Sequence, residues 1–189
     1  MITPKSTKEY LAESLVELMQ NKSLKNITTK DIAKNCHLTS TTFYNHFKDK
    51  YDLLSWIYNN RIGYFIDQIN ETYDWYHAAI DSLTYIKENI TLFQNALKNA
   101  NGQNSFRVST YNINYNAALK IILKVNPAFS ENSINIFTLK LYFYGVMEII
   151  SEIILSVQEF EPIDIAKKLM EGMPEKAREC LVRTEESKS

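Results

Sequence analysis

A chain of 189 residues and 22.0 kDa with only four glycines and four prolines falls well below the roughly 13 and 9 of average usage. That scarcity excludes collagen-like, linker-rich and turn-dense all-β chains, while 45% hydrophobic and 23% charged residues exclude wholesale disorder. The net charge of −1 hides an uneven distribution: residues 1–50 carry eight lysines against Glu9, Glu13, Glu17, Asp31 and Asp49, a balance of +3, and the remaining 139 residues carry −4. Cys36 and Cys180 show no CxxC spacing, so neither a disulfide framework nor a zinc site is expected. The N-terminus lacks an apolar run of signal-peptide type. The most apolar stretch, Tyr142 to Val157, is 16 residues long and contains Glu148 and Glu152, short of a membrane span. These features predict a cytoplasmic protein without metal, cofactor or membrane partner.

Leu11, Leu15, Leu18 and Met19 recur at i, i+4, i+7 and i+8 and predict an amphipathic helix over 5–20. After Asn21-Lys22-Ser23, Thr28 or Thr29 can cap a second helix of about two turns that carries Ile32, Ala33 and Cys36. Thr39 is the expected N-cap of a third, whose Phe43 and Phe47 form one apolar edge. Asp49, followed by Asp52 in a near-match to a capping box, starts a fourth that continues into the seventies through Leu53, Leu54, Ile57 and Tyr58. Further helices are expected at 78–100, ended by Asn101-Gly102, at 105–125, ended by Asn126-Pro127, and at 131–159, roughly 44 Å long at 1.5 Å per residue. A last helix runs from Pro162 to Leu181, and residues 185–189 form a polar tail.

Two short helices joined by a tight turn, braced by a third and set in a basic surround, describe a helix-turn-helix. The residues Ile27-Thr28-Thr29-Lys30-Asp31-Ile32-Ala33, Leu38-Thr39, Thr42-Phe43-Tyr44-Asn45-His46-Phe47-Lys48-Asp49-Lys50 and Leu53-Leu54 resemble the N-terminal DNA-binding domain of the TetR family of bacterial transcription regulators, over about residues 5–58. Within the family, the run from Phe47 to Ile57 resembles the group that includes regulators of dihydroxyacetone kinase genes. The resemblance implies an all-α protein: a three-helix head over 1–50 and a helical body over 51–189 for ligand binding and dimerisation.

Ile32, Ala33, Leu38, Phe43 and Phe47 are core positions of the head. The resemblance places Ser40, Thr41, Thr42, Tyr44, Asn45 and His46 in the DNA major groove, with Thr39 at the helix start. Asn45 is the best candidate for base readout, since a carboxamide pairs with adenine N6 and N7. His46 has two open readings, phosphate contact or packing at the helix end. Thr28, Thr29 and Lys30, and Lys50 at the start of the fourth helix, are candidates for phosphate contact. The family often has glycine where His37 and Thr41 stand; His37 fits if its φ is positive. No Arg or Lys lies in 40–46, so the commonest guanine contact is missing and an A·T-leaning operator is expected.

The body is rich in aromatic residues, most of them core at helical spacing. The resemblance raises a second role for Tyr64, Tyr85, Phe93, Tyr111, Tyr115 and Tyr142, that of lining a pocket for a small-molecule or protein effector. Phe137, Leu141, Tyr144, Ile149, Ile153, Leu169, Met170 and Met173 supply more apolar surface than one protomer buries. By resemblance, the last two long helices pair with their twins, so that a homodimer reads a near-palindromic double-stranded operator. Repression by blocking polymerase is the default expectation and activation the alternative. No catalytic residues are expected: His37, His46 and His77 are scattered and no HExxH pairing exists. A helical protein-binding adaptor would explain the acidic body but not the basic head.

Overall fold

The computed structural model describes residues 5–69, 72–99, 106–156 and 158–182. Among them are ten α-helices and no strand: α1 (Thr7–Asn21), α2 (Thr29–Asn35), α3 (Ser40–Tyr44), α4 (Lys50–Asp67), α5 (Trp75–Glu88), α6 (Ile90–Asn99), α7 (Phe106–Val125), α8 (Ser133–Leu155), α9 (Pro162–Glu171) and α10 (Glu175–Leu181).

Local chemistry sets the ends of the head helices. Ser6 and Glu9 form a reciprocal capping box on α1, and Thr28 and Asp31 form another on α2. Thr39 caps α3 by accepting from the Thr42 amide, and Asp49 caps α4 by accepting from the Tyr51 and Asp52 amides. Asp52 differs from the expected capping-box partner: its carboxylate accepts from the Lys48 amide at 2.9 Å, one residue before the cap. His37, with φ 58°, takes the left-handed conformation that turns the chain between α2 and α3, as the sequence allowed.

The body divides more finely than expected. The span 78–100 is two helices, α5 and α6, broken at Asn89, whose backbone leaves the helical region and whose carboxamide donates to the Tyr85 carbonyl at 2.9 Å. The helix after Asp49 stops at Asp67 rather than in the seventies. The long helix expected at 131–159 is α8, preceded by a 3-10 turn at Pro127–Glu131 and ended at Ser156. Pro162 to Leu181 is two helices because Gly172, Met173 and Pro174 interrupt it. The expected Asn101-Gly102 stop and the polar tail lie outside the described residues.

One core runs from head to body. Leu11, Leu15, Ile32, Phe43 and Leu53 are fully enclosed and continuous with Leu83, Leu92, Ala96 and Ala166; each large side chain so buried contributes about 1.5–3 kcal/mol. The joint is also polar. Asn95 on α6 accepts from the Leu24 amide at 2.8 Å and donates to the Met19 and Lys22 carbonyls at 2.9 and 2.8 Å, while Ser23 donates to Asn99 at 2.8 Å. A second core, in the far half of the body, gathers Trp75, Tyr111, Tyr115, Phe129, Leu139 and Phe143.

Met170 and Met173 correct the dimer expectation. Both are buried within the protomer, in the core of α7, α8 and α10, so neither offers area to a partner; Ile153 and Leu169 are half-buried. Phe137, Leu141, Tyr144 and Ile149 are exposed, together with Ile134.

Candidate functional site

The head builds a small rigid platform. Ser14 on α1 donates to the Ile32 carbonyl at 2.7 Å from a buried position, and Asn35 donates to Glu17 at 3.0 Å, so α1 holds α2 from behind. Phe43 packs on Phe47 (centroids 6.0 Å apart) and Phe47 on Trp56 (5.8 Å), which fixes α3 against α4. Asp31 caps α2 and pairs with Lys22 at 3.1 Å; its hydrogen bonds from the Thr28 amide and hydroxyl, with Lys22 assisting, hold its pKa down at about 2. Burial raises the pKa of the Cys36 thiol, consistent with a packing residue rather than a reactive one.

The candidate recognition residues fall into two groups. Thr41, Asn45 and His46 are exposed, and their side chains have no hydrogen-bond partner among the described residues. The alternative of His46 packed at the helix end is not seen. The others are engaged inside the head: the hydroxyls of Thr39 and Thr42 meet at 2.9 Å, and the exposed Tyr44 hydroxyl meets Thr29 at 3.0 Å, tying α3 to the start of α2. Ser40 is half-buried, Thr28 is occupied as a cap, and Lys30 is exposed.

Lys50 departs from its expected role. Its ammonium donates to the carbonyls of Leu24, Lys25 and Ile27 at 2.7, 3.1 and 2.7 Å, which uses all three of its protons. Its burial pushes its pKa down, with Asp49 and Asp31 opposing. The side chain clamps the turn between α1 and α2 to the first residue of α4 and has no proton left for a phosphate. The exposed basic residue beside α3 is instead Lys48, two positions away in the same run.

In the body, helices α4 to α9 enclose a cavity of about 90 Å³. Of the six aromatic residues proposed for a pocket, Phe93 and Tyr142 line it. Tyr64 is exposed and lines a second, open cleft of about 560 Å³ together with Asn59, Asn60, Asp67, Asn112 and Asn116. The Arg61 guanidinium lies 5.0 Å from the centroid of the Tyr85 ring, and Tyr111 stacks with both Tyr115 and Tyr144 outside the cavity. The sequence reading missed Tyr58, Trp75, Phe106 and Asn114, which do line it. Tyr58 accepts from Asn114 at 2.8 Å, and full burial pushes its phenol up to about 12. Tyr58 and Trp75 carried a signal as aromatic residues of the body, and Asn114 carried one as a polar residue three positions after Tyr111.

Among the described residues no group of three or more His, Cys, Asp or Glu side chains could hold a metal, and no helix is long and apolar enough to cross a membrane.

Residues 12–56 match the model of bacterial regulatory proteins of the tetR family, and residues 73–175 match a transcriptional regulator C-terminal region. The chain is 31% identical over 88 residues to the HTH-type dhaKLM operon transcriptional activator DhaS of Lactococcus lactis subsp. lactis (strain IL1403), a match over 47% of this chain and 47% of that protein. The chain therefore spans about half the length of this curated relative. Among solved structures, a dihydroxyacetone kinase operon activator DhaS superposes with a TM-score of 0.65 at 21% identity, over 87% of this chain and 92% of the other. The fatty acid degradation regulator FadR from Bacillus halodurans superposes with a TM-score of 0.60 at 12% identity, over 88% and 94%. At these identities the two structures report a shared fold.

Proposed function

Because the chain belongs to the tetR family of bacterial regulatory proteins and is a DNA-binding transcriptional regulator, we propose that its α3 reads an operator through Thr41, Asn45 and His46. The observation that carries this reading is their freedom: these side chains are exposed and unpaired at the end of the head, while their neighbours are spent on holding α3 in place. Lys30 and Lys48 flank them as phosphate contacts. With no basic residue on α3, the operator core leans to A·T.

The working unit is a homodimer in the cytoplasm, where two heads set roughly 34–36 Å apart, or a multiple of that, read a near-palindromic site. Support comes from the outer face of α8, where Ile134, Phe137, Leu141, Tyr144 and Ile149 are each at least half exposed. Gly145 lies in the same stripe with open space where a Cβ would stand, so a partner helix can approach closely. Such a face left in water is unusual for a monomer.

The cavity in the body takes the effector, and its occupancy changes the operator affinity of the heads. The curated relative is named a transcriptional activator, which favours activation over the repression expected by default.

Selection from random DNA, followed by gel shift of the selected site against a scrambled one, tests the first part. Specific binding to a two-fold, A·T-rich site is expected. Binding that ignores sequence at moderate salt would favour the adaptor reading, and guanine-dominated half-sites would remove Asn45 from its role.

A further inference from the structure

The polar atoms of the body cavity can be accounted for one by one. No charged side chain lines it. The hydroxyls of Ser82, Thr110, Ser151 and Tyr142 each donate to a backbone carbonyl, at 2.6, 3.0, 2.7 and 2.8 Å. Asn114 spends its two N–H bonds on the Tyr58 hydroxyl and the Thr110 carbonyl, both at 2.8 Å. Three polar groups make no hydrogen bond among the described residues: the proton of the Tyr58 hydroxyl, Oδ1 of Asn114 and the indole N–H of Trp75; no buried side-chain polar atom among them is shut away without a partner, so the last two reach open space. The first two belong to side chains more than nine-tenths buried and already in contact with each other. A donor and an acceptor thus lie side by side in a mainly apolar wall, in which the Trp75 N–H is a further free donor.

A hydroxyl group matches that pair, since one oxygen accepts from Tyr58 while its own hydrogen goes to Asn114. A ketone or aldehyde satisfies only Tyr58 and leaves Oδ1 bare. A carboxylate meets no cation and lies against a carbonyl-type oxygen, with the full cost of burying a charge. Size narrows the class further. The cavity of about 90 Å³ is smaller than the roughly 150 Å³ that holds benzene, so the space suits roughly three or four non-hydrogen atoms.

Resting on the reading that the cavity takes the effector, we infer that the ligand is a small uncharged molecule with one hydroxyl on an apolar body, a short-chain alcohol, held by Tyr58 and Asn114. Tyr58 belongs to α4 and Asn114 to α7, so the hydroxyl joins the helix that leaves the head to one that lies wholly in the body.

The test uses the full chain and four probes of matched shape: 2-propanol, 2-methylpropane as a dissolved gas, acetone and acetate, with binding read by calorimetry and by the shift of the thermal midpoint. The expected order places 2-propanol first, about tenfold or more tighter than 2-methylpropane, a difference of about 1.4 kcal/mol, with the ketone between and the carboxylate silent. Tyr58→Phe should bring 2-propanol and 2-methylpropane to within about threefold of each other while the far-ultraviolet spectrum and melting cooperativity stay native. Asn114→Leu, which keeps bulk without the carbonyl, should do the same. Equal binding of 2-propanol and 2-methylpropane by the unmodified protein, preference for the carboxylate, or no binding of any probe overturns the inference. A gel shift with the selected operator, run on the same preparation without probe, separates the failures: intact operator binding with the wrong probe order removes only the ligand class. Binding in the expected order without any change in operator affinity on adding 2-propanol keeps the site chemistry and removes the effector reading on which it rests.

Discussion

Replacing Lys50 by methionine keeps an aliphatic stem of similar length and removes the ammonium, which lies 5.4 Å from the centroid of the Tyr51 ring, leaving the carbonyls of Leu24, Lys25 and Ile27 without their donor. A hydrogen bond to a charged group contributes about 1.5–3 kcal/mol net. The three bonds here share one partly desolvated ion, and water can reach the exposed Lys25 carbonyl, so the set is worth about 2–4 kcal/mol rather than three times the single value. In a chain of this size each kcal/mol moves the thermal midpoint by about 2–4 °C, so a fall of about 4–16 °C is expected. Urea unfolding should show the same loss as a lower midpoint with an unchanged slope. Lys48→Met is the control, an exposed lysine in the same run that should move stability by less than about 0.5 kcal/mol. Were Lys50→Met to melt like the parent and only weaken DNA binding, with a salt slope reduced by about 0.9, the clamp would be wrong and the phosphate contact right.

Three further outcomes follow from the same geometry. Asn45→Ala should leave the thermal midpoint within about 2 °C, because its side chain has no partner to lose, yet cost about 1–3 kcal/mol of discrimination at one base pair in competition gel shifts; uniform weakening across all sites would reassign it to the backbone. Leu141→Glu, at an exposed position of the α8 stripe, should yield a monomer by analytical ultracentrifugation with helicity intact, whereas an unchanged mass would move the interface elsewhere. The Asp31 carboxylate is stabilised in the folded head with a pKa of about 2, below its ordinary value of 3.8. Its contribution is therefore complete above the unfolded value and is lost as pH falls through the folded one. Urea midpoints of parent and Asp31→Asn should differ at pH 6 and converge towards pH 2, and a constant gap would refute the role of ionisation.

The head was legible in the sequence because its determinants are local. Caps act within three residues, as Thr28, Thr39 and Asp49 do, and the spacing of Phe43 and Phe47 states which side of α3 is buried. Even the unusual backbone at His37 follows from a residue type that tolerates positive φ. The break at Asn89 was not legible, since neither glycine nor proline marks it and the apolar pattern continues from Ile86 through Leu92 and Phe93. What separates α5 from α6 is tertiary, with α5 lying along α9 and α6 reaching back to α1 and α8. The same distance in sequence hid the role of Lys50, whose acceptors are 23 to 26 residues upstream, and the cavity pair, which joins positions 56 residues apart. Aromatic content pointed to the body as a whole, but Tyr58 and Tyr64 differ in burial only because α4 turns one face to α7 and the other to water.

Helix α4 holds the three levels together. Lys50 at its first residue fixes the turn between α1 and α2, Leu53, Leu54 and Ile57 fill the head core, and Tyr58 enters the body cavity. From Lys50 to Tyr58 the axis advances about 12 Å at 1.5 Å per residue, within one hydrogen-bonded segment that contains no glycine or proline. A side chain that shifts at Tyr58 therefore moves a rigid rod whose other end is bonded to the segment in front of the Thr28 cap. That segment is held from the body a second time, by Asn95 on α6. With two attachments to the same few residues, a displacement of α4 relative to α6 must tilt α2 and α3 or break bonds to Leu24. Coupling by tilt requires the clamp to survive, because without Lys50 the rod would slide past the turn and leave α3 where it was. If α3 reads the operator through Asn45 as proposed, the lysine acts through the orientation of that side chain rather than through a phosphate.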